Sequence, residues 1–395
     1  MRIVYINENS HLGGAAQITN ILAENLSKRY PNTEVHYFFG NGESVKPYHK
    51  RISNKVKITI SKLNRRILGY QDGNLFKLDQ NLKEAILNAD IVHINNIHDS
   101  FISFSNLIQV IENSKAKVVW TLHDSWLFTG RCAVPLGCER WIDGCSVCEN
   151  KSYYPSTLID KGTFNITRKL ELLQRIKDRV TFISPSEWLF GQFKRSLFKN
   201  FAINVINNGI NTNVFRPLNK EETREKYGFN KNDHISLFIS ANLLDKYKGI
   251  EIVEQIVKDS PQKKFIIVGR NSQIFASYNN VTIKEYINDQ KIMCDLYNLS
   301  DLFIAPYYYD NFPTTVLESL ACGTTVLGLK RGGISEILHN CGLLADEENF
   351  ITLFKDFFGG QLNSIPSNEL REIALIKYSQ DIFVSEYYKL YKSLL

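Results

Sequence analysis

The stretch from Ala305 to Leu338, APYYYDNFPTTVLESLACGTTVLGLKRGGISEIL, limits the fold more than any other part of the chain. Leu302 to Pro306 is an apolar, strand-like run; Asn311, Pro313 and two threonines break it, and Val316 to Ala321 resumes at helical spacing. Thr314 or Thr315 is placed to cap that helix, and Gly323 to end it in a left-handed turn. A second apolar run and the Gly332-Gly333 turn follow. Strand, loop, helix, strand is the repeating unit of a parallel α/β sheet. Apolar, β-branched runs of the same kind recur at Arg2 to Ile6, Ala89 to Asn95, Ala116 to Leu122, and in VTFIS, ISLFIS and KKFIIVG.

A helix that starts after such a loop offers unpaired N–H groups and a positive dipole end at Thr314, Thr315 and Val316, an anion site. Asp310 before the loop and Glu318 one turn into the helix bracket it. N–H groups suit a diphosphate and carboxylates accept hydrogen bonds from sugar hydroxyls, so the combination suits a nucleotide sugar. DNFPTTVLESLACGTTVL followed by GGISEI resembles the donor-binding signature of retaining glycosyltransferases of family 4. The resemblance implies the GT-B fold: two Rossmann-like domains with parallel sheets facing a central cleft. That family usually carries two glutamates separated by seven residues; here the first is Asp310 and the second Glu318. Phe312 falls inside the matched motif and is expected beside the donor.

A length of 395 residues suits two domains, and 44% hydrophobic with 22% charged residues is a globular composition. No apolar run reaches the length of a membrane-crossing helix, and MRIVYINEN reads as a strand rather than a signal peptide, so a cytoplasmic location is expected. The expected organisation is a first Rossmann-like domain over 1–212 on the acceptor side and a second over 213–375 on the donor side. A terminal amphipathic helix over 376–395 is implied to cross back to the first domain.

In the first domain, SHLGGAA follows the first strand, and Gly13 and Gly14 let backbone approach a ligand at the sheet's carboxyl edge. The resemblance places both glycines on the acceptor side and Gly14 near the donor phosphate. The strands at 89–95 and 116–122 end in Asn95, Asn96 and His98, and in His123 and Asp124. Matched within TLHDSW, His123 takes the family's role of reaching the transferred sugar, and Asp124 either orients it or caps the next turn. Cys132, Cys138, Cys145 and Cys148 have the residue types of a structural zinc site, with 5, 6 and 2 residues between them. The resemblance includes such a Cys-rich insertion at about 130–150; free thiols are the alternative.

Two basic, amphipathic segments stand out. Lys46 to Arg66 carries eight Lys or Arg and no acid, interleaved with Ile52, Val56, Ile58, Ile60 and Leu63. SEWLFGQFKRSLFKN puts Leu189, Phe193 and Leu197 beside Lys194, Arg195 and Lys199. Either can lie on an anionic bilayer or pack as core. Neither suits nucleic acid, and the net charge of +6 is modest.

In the second domain the family presents an Arg and a Lys to the diphosphate; the matching positions hold Asn242 and Lys248. The expected chemistry is transfer of a sugar from a nucleotide-diphosphate sugar to an acceptor hydroxyl. Retention of configuration is implied by the resemblance. The acceptor is expected to be a saccharide or lipid-linked saccharide of bacterial surface polymer synthesis. His123, Asp310 and Lys248 are the expected catalytic group. Lys248 and the helix N–H groups stand where other transferases use a divalent metal, and no Asp-x-Asp motif is present to hold one, so no cofactor is expected in catalysis. A non-catalytic nucleotide-sugar-binding subunit, or an epimerase on the same fold, is the alternative.

Overall fold

The computed structural model describes all 395 residues except Gly73, Asn74 and Asn363. The chain divides into two compact units, one of Met1–Asn207 with Val384–Leu395 and one of Asn208–Phe383. The division at Asn207 and Asn208 precedes the expected 212/213 boundary, because Ile210 already pairs with Ser379 and Gly209 packs on Phe383.

The first unit is built on seven parallel strands: β1 (Arg2–Asn9), β2 (Glu34–Asn41), β3 (His49–Arg51), β4 (Ile91–Ile94), β5 (Lys117–Thr121), β6 (Val180–Ser184) and β7 (Ala202–Val205). Their order is β3-β2-β1-β4-β5-β6-β7. The second unit has β8 (Ile235–Asn242), β9 (Lys264–Arg270), β10 (Val281–Lys284), β11 (Leu302–Ala305), β12 (Thr325–Leu329) and β13 (Leu343–Ala345), in the order β10-β9-β8-β11-β12-β13. Both are doubly wound sheets, and their order reverses between β1 and β4 and between β8 and β11. Such switch points open a crevice outside the carboxyl ends of the strands.

The strands are apolar along their whole length because helices cover both faces. Val4, Ile6, Val92, Ile94, Val118 and Trp120 lie in one core; Leu237, Ile267, Phe303, Ile304, Val326 and Leu327 lie in the other. The last helix, Gln380–Leu394, supplies Val384–Leu395 to the first unit. There Tyr391 hydrogen-bonds the His93 Nδ1 at 2.6 Å, and Tyr387 the Thr121 hydroxyl at 2.7 Å. Burial holds His93 well below its ordinary value, so this belt is neutral.

Candidate functional site

At the switch point of the second sheet, β8 leads through Asn242 to Lys248, and β11 leads through Pro306 to Asp310. Gly249 has φ +67°, and a Cβ there would collide with the Pro306 carbonyl; only glycine lets the two loops meet. Tyr308 N–H donates to the Tyr247 carbonyl at 2.8 Å and fixes their register. The result is an ion pair of Lys248 Nζ and Asp310 Oδ2 at 2.5 Å, with the ammonium 4.2 Å from the centre of the Tyr307 ring. Gly332 and Gly333 close the far side: Gly333 N–H donates to the Asp310 carbonyl at 3.0 Å, and side chains at either glycine would strike the 310–312 backbone.

The helix is Thr314–Ala321, with Thr314 and Thr315 in its first turn. Its cap differs from expectation: Pro313 is the N-cap residue and no side chain caps it. Val316 N–H donates to the Pro313 carbonyl at 3.2 Å, so the open donors are concentrated at Thr314 and Thr315. Phe312 is buried, and Asn208 donates to its carbonyl at 3.1 Å. Gly323 has φ +73°, the left-handed turn read from the sequence.

Glu318 is buried and accepts from the Tyr297 hydroxyl at 2.9 Å. Burial pushes its carboxyl up to about 8, against the pull of Tyr297, so it is mostly protonated at neutral pH. Tyr297 gave no signal in the sequence; it lies in the helix Gln290–Leu299, among other core positions. Asn242 is engaged within its own loop. Its amide donates to Asp245 at 3.1 Å, and its oxygen accepts from Asn271 at 2.7 Å.

At the switch point of the first sheet, His123 and Asn95 meet, Nε2 to Oδ1 at 2.9 Å. Burial lowers His123 to about 4, so the ring is neutral and Nε2 is the donor. The buried Asn95 Nδ2 has no hydrogen-bond partner among the described residues. Asn95 and His123 line a small cavity with His98, Asp124 and Trp126. Asp124 serves His98 rather than His123: Oδ2 lies 2.8 Å from His98 Nε2, and Oδ1 accepts the Trp126 N–H at 2.8 Å. Burial opposes charge on both partners, but each holds the other charged, Asp124 below and His98 above its ordinary value.

The same edge gathers residues the sequence reading did not single out. Glu8, at the end of β1, and Asp99, after β4, share a hydrogen bond; burial and then the Asp99 charge push Glu8 up to about 7. Asn41 donates to Asp99 at 3.0 Å, Tyr154 donates to it at 3.3 Å, and Lys62 pairs with it. Glu8 could have been noticed, since it lies two residues past the apolar run of the first strand. Lys62 and Tyr154 reach the cluster only through the fold. Gly13 is the N-cap of the helix Gly14–Arg29 with φ +86°, and side chains at Gly13 or Gly14 would meet open space.

Among the described residues, no three His, Cys, Asp or Glu side chains are grouped to hold a metal ion. Burial pushes the Cys132 thiol up, against the pull of Arg131, and the nearby thiols of Cys148, Cys145 and Cys138 add to the rise. Arg131, fully buried, pins this loop: it donates to the carbonyls of Asn150, Tyr153 and Pro155 and to Cys148 Sγ. Cys145 Sγ accepts the Gly130 N–H at 3.1 Å.

Residues 12–214 match the family model Glycosyltransferase Family 4, and residues 219–354 match Glycosyl transferases group 1. The chain is 24% identical over 411 aligned positions, covering all of both chains, to WcaC of Escherichia coli (strain K12), a proposed colanic acid biosynthesis glycosyl transferase. It is 27% identical to the N,N'-diacetylbacillosaminyl-diphospho-undecaprenol alpha-1,3-N-acetylgalactosaminyltransferase of Campylobacter jejuni, over 60% of this chain and 67% of that one. Among solved structures, Anabaena Alr3699/HepE in complex with UDP superposes with a TM-score of 0.71 over all of both chains at 14% identity. Sucrose-phosphate synthase from Thermosynechococcus elongatus gives 0.70 at 17% identity, over 100% of this chain and 98% of that one. These likenesses share the two-domain GT-B fold. With one model laid over more than half of its length and the other over the sheet that carries Lys248 and Asp310, the chain belongs to Glycosyltransferase Family 4.

Proposed function

We propose that this glycosyltransferase moves a sugar from a nucleotide-diphosphate sugar to a hydroxyl of a saccharide or lipid-linked saccharide, with retention of anomeric configuration, in bacterial surface polysaccharide synthesis. The observation that carries the reading is the Lys248–Asp310 pair at the switch point of the second sheet, beside the start of the helix Thr314–Ala321.

As the glycosidic bond breaks, negative charge grows on the leaving diphosphate. Lys248 and the N–H groups of Thr314 and Thr315 are fixed before reaction and require little reorganisation to meet that charge. Asp310 keeps Lys248 in place and turns to a sugar hydroxyl once phosphate takes over the ammonium. Glu318, protonated or ionised, accepts from ribose hydroxyls, and Phe312 lines the donor. In the first unit, His123 reaches the sugar as a neutral ring, and Gly13, Gly14 and Asp124 belong to the acceptor side. The relatives WcaC, of colanic acid biosynthesis, and the undecaprenol-linked N-acetylgalactosaminyltransferase support a polymer or lipid-linked acceptor. That reading locates the enzyme at the cytoplasmic face of the cell membrane.

Nucleotide release from a panel of UDP-, GDP-, ADP-, CDP- and TDP-sugars with a mixed acceptor extract tests this, with Lys248→Ala alongside and a chelator added. Release from one donor that survives chelation and collapses in the variant is expected. Release that depends on an added divalent ion would sink the metal-independent mechanism. Donor binding without any turnover would favour the binding-subunit alternative.

A further inference from the structure

We propose that the helix Lys55–Leu68 is a docking surface for an anionic lipid bilayer, and that it brings a lipid-carried acceptor to the first sheet's switch point. The helix has two stripes. Ile58, Ser61 and Arg65, at 3 and 4 residue steps, are buried against the unit. Val56, Ile60, Leu63 and Ile67, at steps of 4, 3 and 4, point outward and are 67%, 44%, 57% and 43% exposed. Four large aliphatic side chains on the outer stripe of one helix form a contiguous apolar patch, which marks an interaction surface. The patch continues beyond the helix. Leu158 N–H donates to the Arg66 carbonyl at 2.7 Å, and Leu158 and Ile159 are themselves exposed there.

Charge selects the occupant. No acid occurs between Lys46 and Arg66, and Lys55, Lys57 and Arg66 are exposed along the helix, flanking the apolar stripe. Aliphatic side chains that enter the acyl boundary, with cations that reach anionic headgroups, are the two forces that hold an interfacial helix. The second basic segment does not compete, since Leu189 and Phe193 of the helix Glu187–Arg195 are wholly buried. The inner stripe leads to the site: Lys62 pairs with Asp99, and Arg65 Nη1 donates to the His98 carbonyl at 2.9 Å. One face of the helix therefore meets lipid while the other holds the Glu8–Asp99–His98 cluster. The choice of a lipid-carried acceptor rests on the transferase reading; the docking surface does not.

The full chain is sedimented with vesicles of phosphatidylglycerol and phosphatidylcholine, and separately with phosphatidylcholine alone. Two variants run beside it: Val56→Ser/Ile60→Ser/Leu63→Ser/Ile67→Ser, and Lys55→Glu/Lys57→Glu. All six positions are exposed, so unchanged thermal melts are expected. The wild type is expected to favour anionic over neutral vesicles by about tenfold or more, and each variant to lose about tenfold in binding. Wild-type binding no better than the variants, or none at all, overturns the proposal. So does a wild type that self-associates through this face while the serine variant stays monomeric, because a second copy then covers it. Vesicle binding is read without donor, so its failure is distinct from failure of nucleotide release.

Discussion

The carboxyl edges of the two sheets solve different problems with different materials. The second edge draws on few segments: Asp310 and the Thr314–Ala321 helix follow one strand, Lys248, 62 residues earlier, follows another, and glycines let the two loops touch. The first edge draws Glu8, Asn41, Lys62, Asp99, Asp124 and Tyr154 from six separate places. One presents a fixed positive charge suited to a phosphate. The other is a hydrogen-bonded mixture of carboxylates and imidazoles suited to hydroxyl groups.

The largest effect should come from the charged edge. Lys248→Ala is expected to lower nucleotide release by about 100- to 1000-fold, the scale of losing one preorganised stabiliser of the leaving group. Lys248→Arg should recover part of it, measured as kcat at saturating donor; a small loss in the alanine variant would break the comparison. At the first edge, His123→Ala should cost about 10- to 100-fold. Because burial lowers His123 to about 4, its ring proton signals in nuclear magnetic resonance should not titrate between pH 6 and 8. A midpoint near 6.5 there would contradict a neutral hydrogen-bonding role.

Glu318→Gln sharpens the contrast through stability. The folded carboxyl is raised from 4.5 to about 8, so the folded chain holds a proton that the unfolded chain releases. Its contribution is therefore full below about pH 4.5 and is lost as pH rises through about 8. The wild-type melting temperature minus that of Glu318→Gln should fall across this window, by on the order of a few degrees. A flat difference would mean that Glu318 is ionised in the unliganded protein. The smallest effect is expected at Asn242→Ala, about threefold or less in donor KM, because its amide already serves Asp245. A large loss would return Asn242 to the phosphate site.

The part of the second edge from Asp310 to Gly333 was legible because it is one continuous stretch that obeys local rules, whereas its meeting with Lys248, 62 residues earlier, was not. A loop before a helical run gives N–H donors, and the Gly332–Gly333 turn marks a close approach. The helix cap was misread because the helix begins directly after Pro313, which takes the N-cap position and leaves both threonines in the first turn. At the first edge His123 was legible, but its partner was not. Asp124 is the next residue in sequence, yet successive side chains leaving a strand diverge, and it turned to His98. The cysteines show the same limit: their spacing permits a metal site, but Arg131, whose guanidinium holds the surrounding loop, carried no sign of that role in the sequence.

By itself the sequence determined the class of fold, two domains each built on a parallel sheet, and the loop and helix that follow the strand ending at Ala305. Apolar periodicity and glycine positions act over a few residues and survive any tertiary arrangement. Tertiary structure decided everything that depends on distance through space. It settled which of two basic amphipathic helices faces outward, since Phe193 found a core and Val56 did not. It set Glu318 near 8 and His123 near 4, because desolvation is a property of the surroundings rather than of the residue.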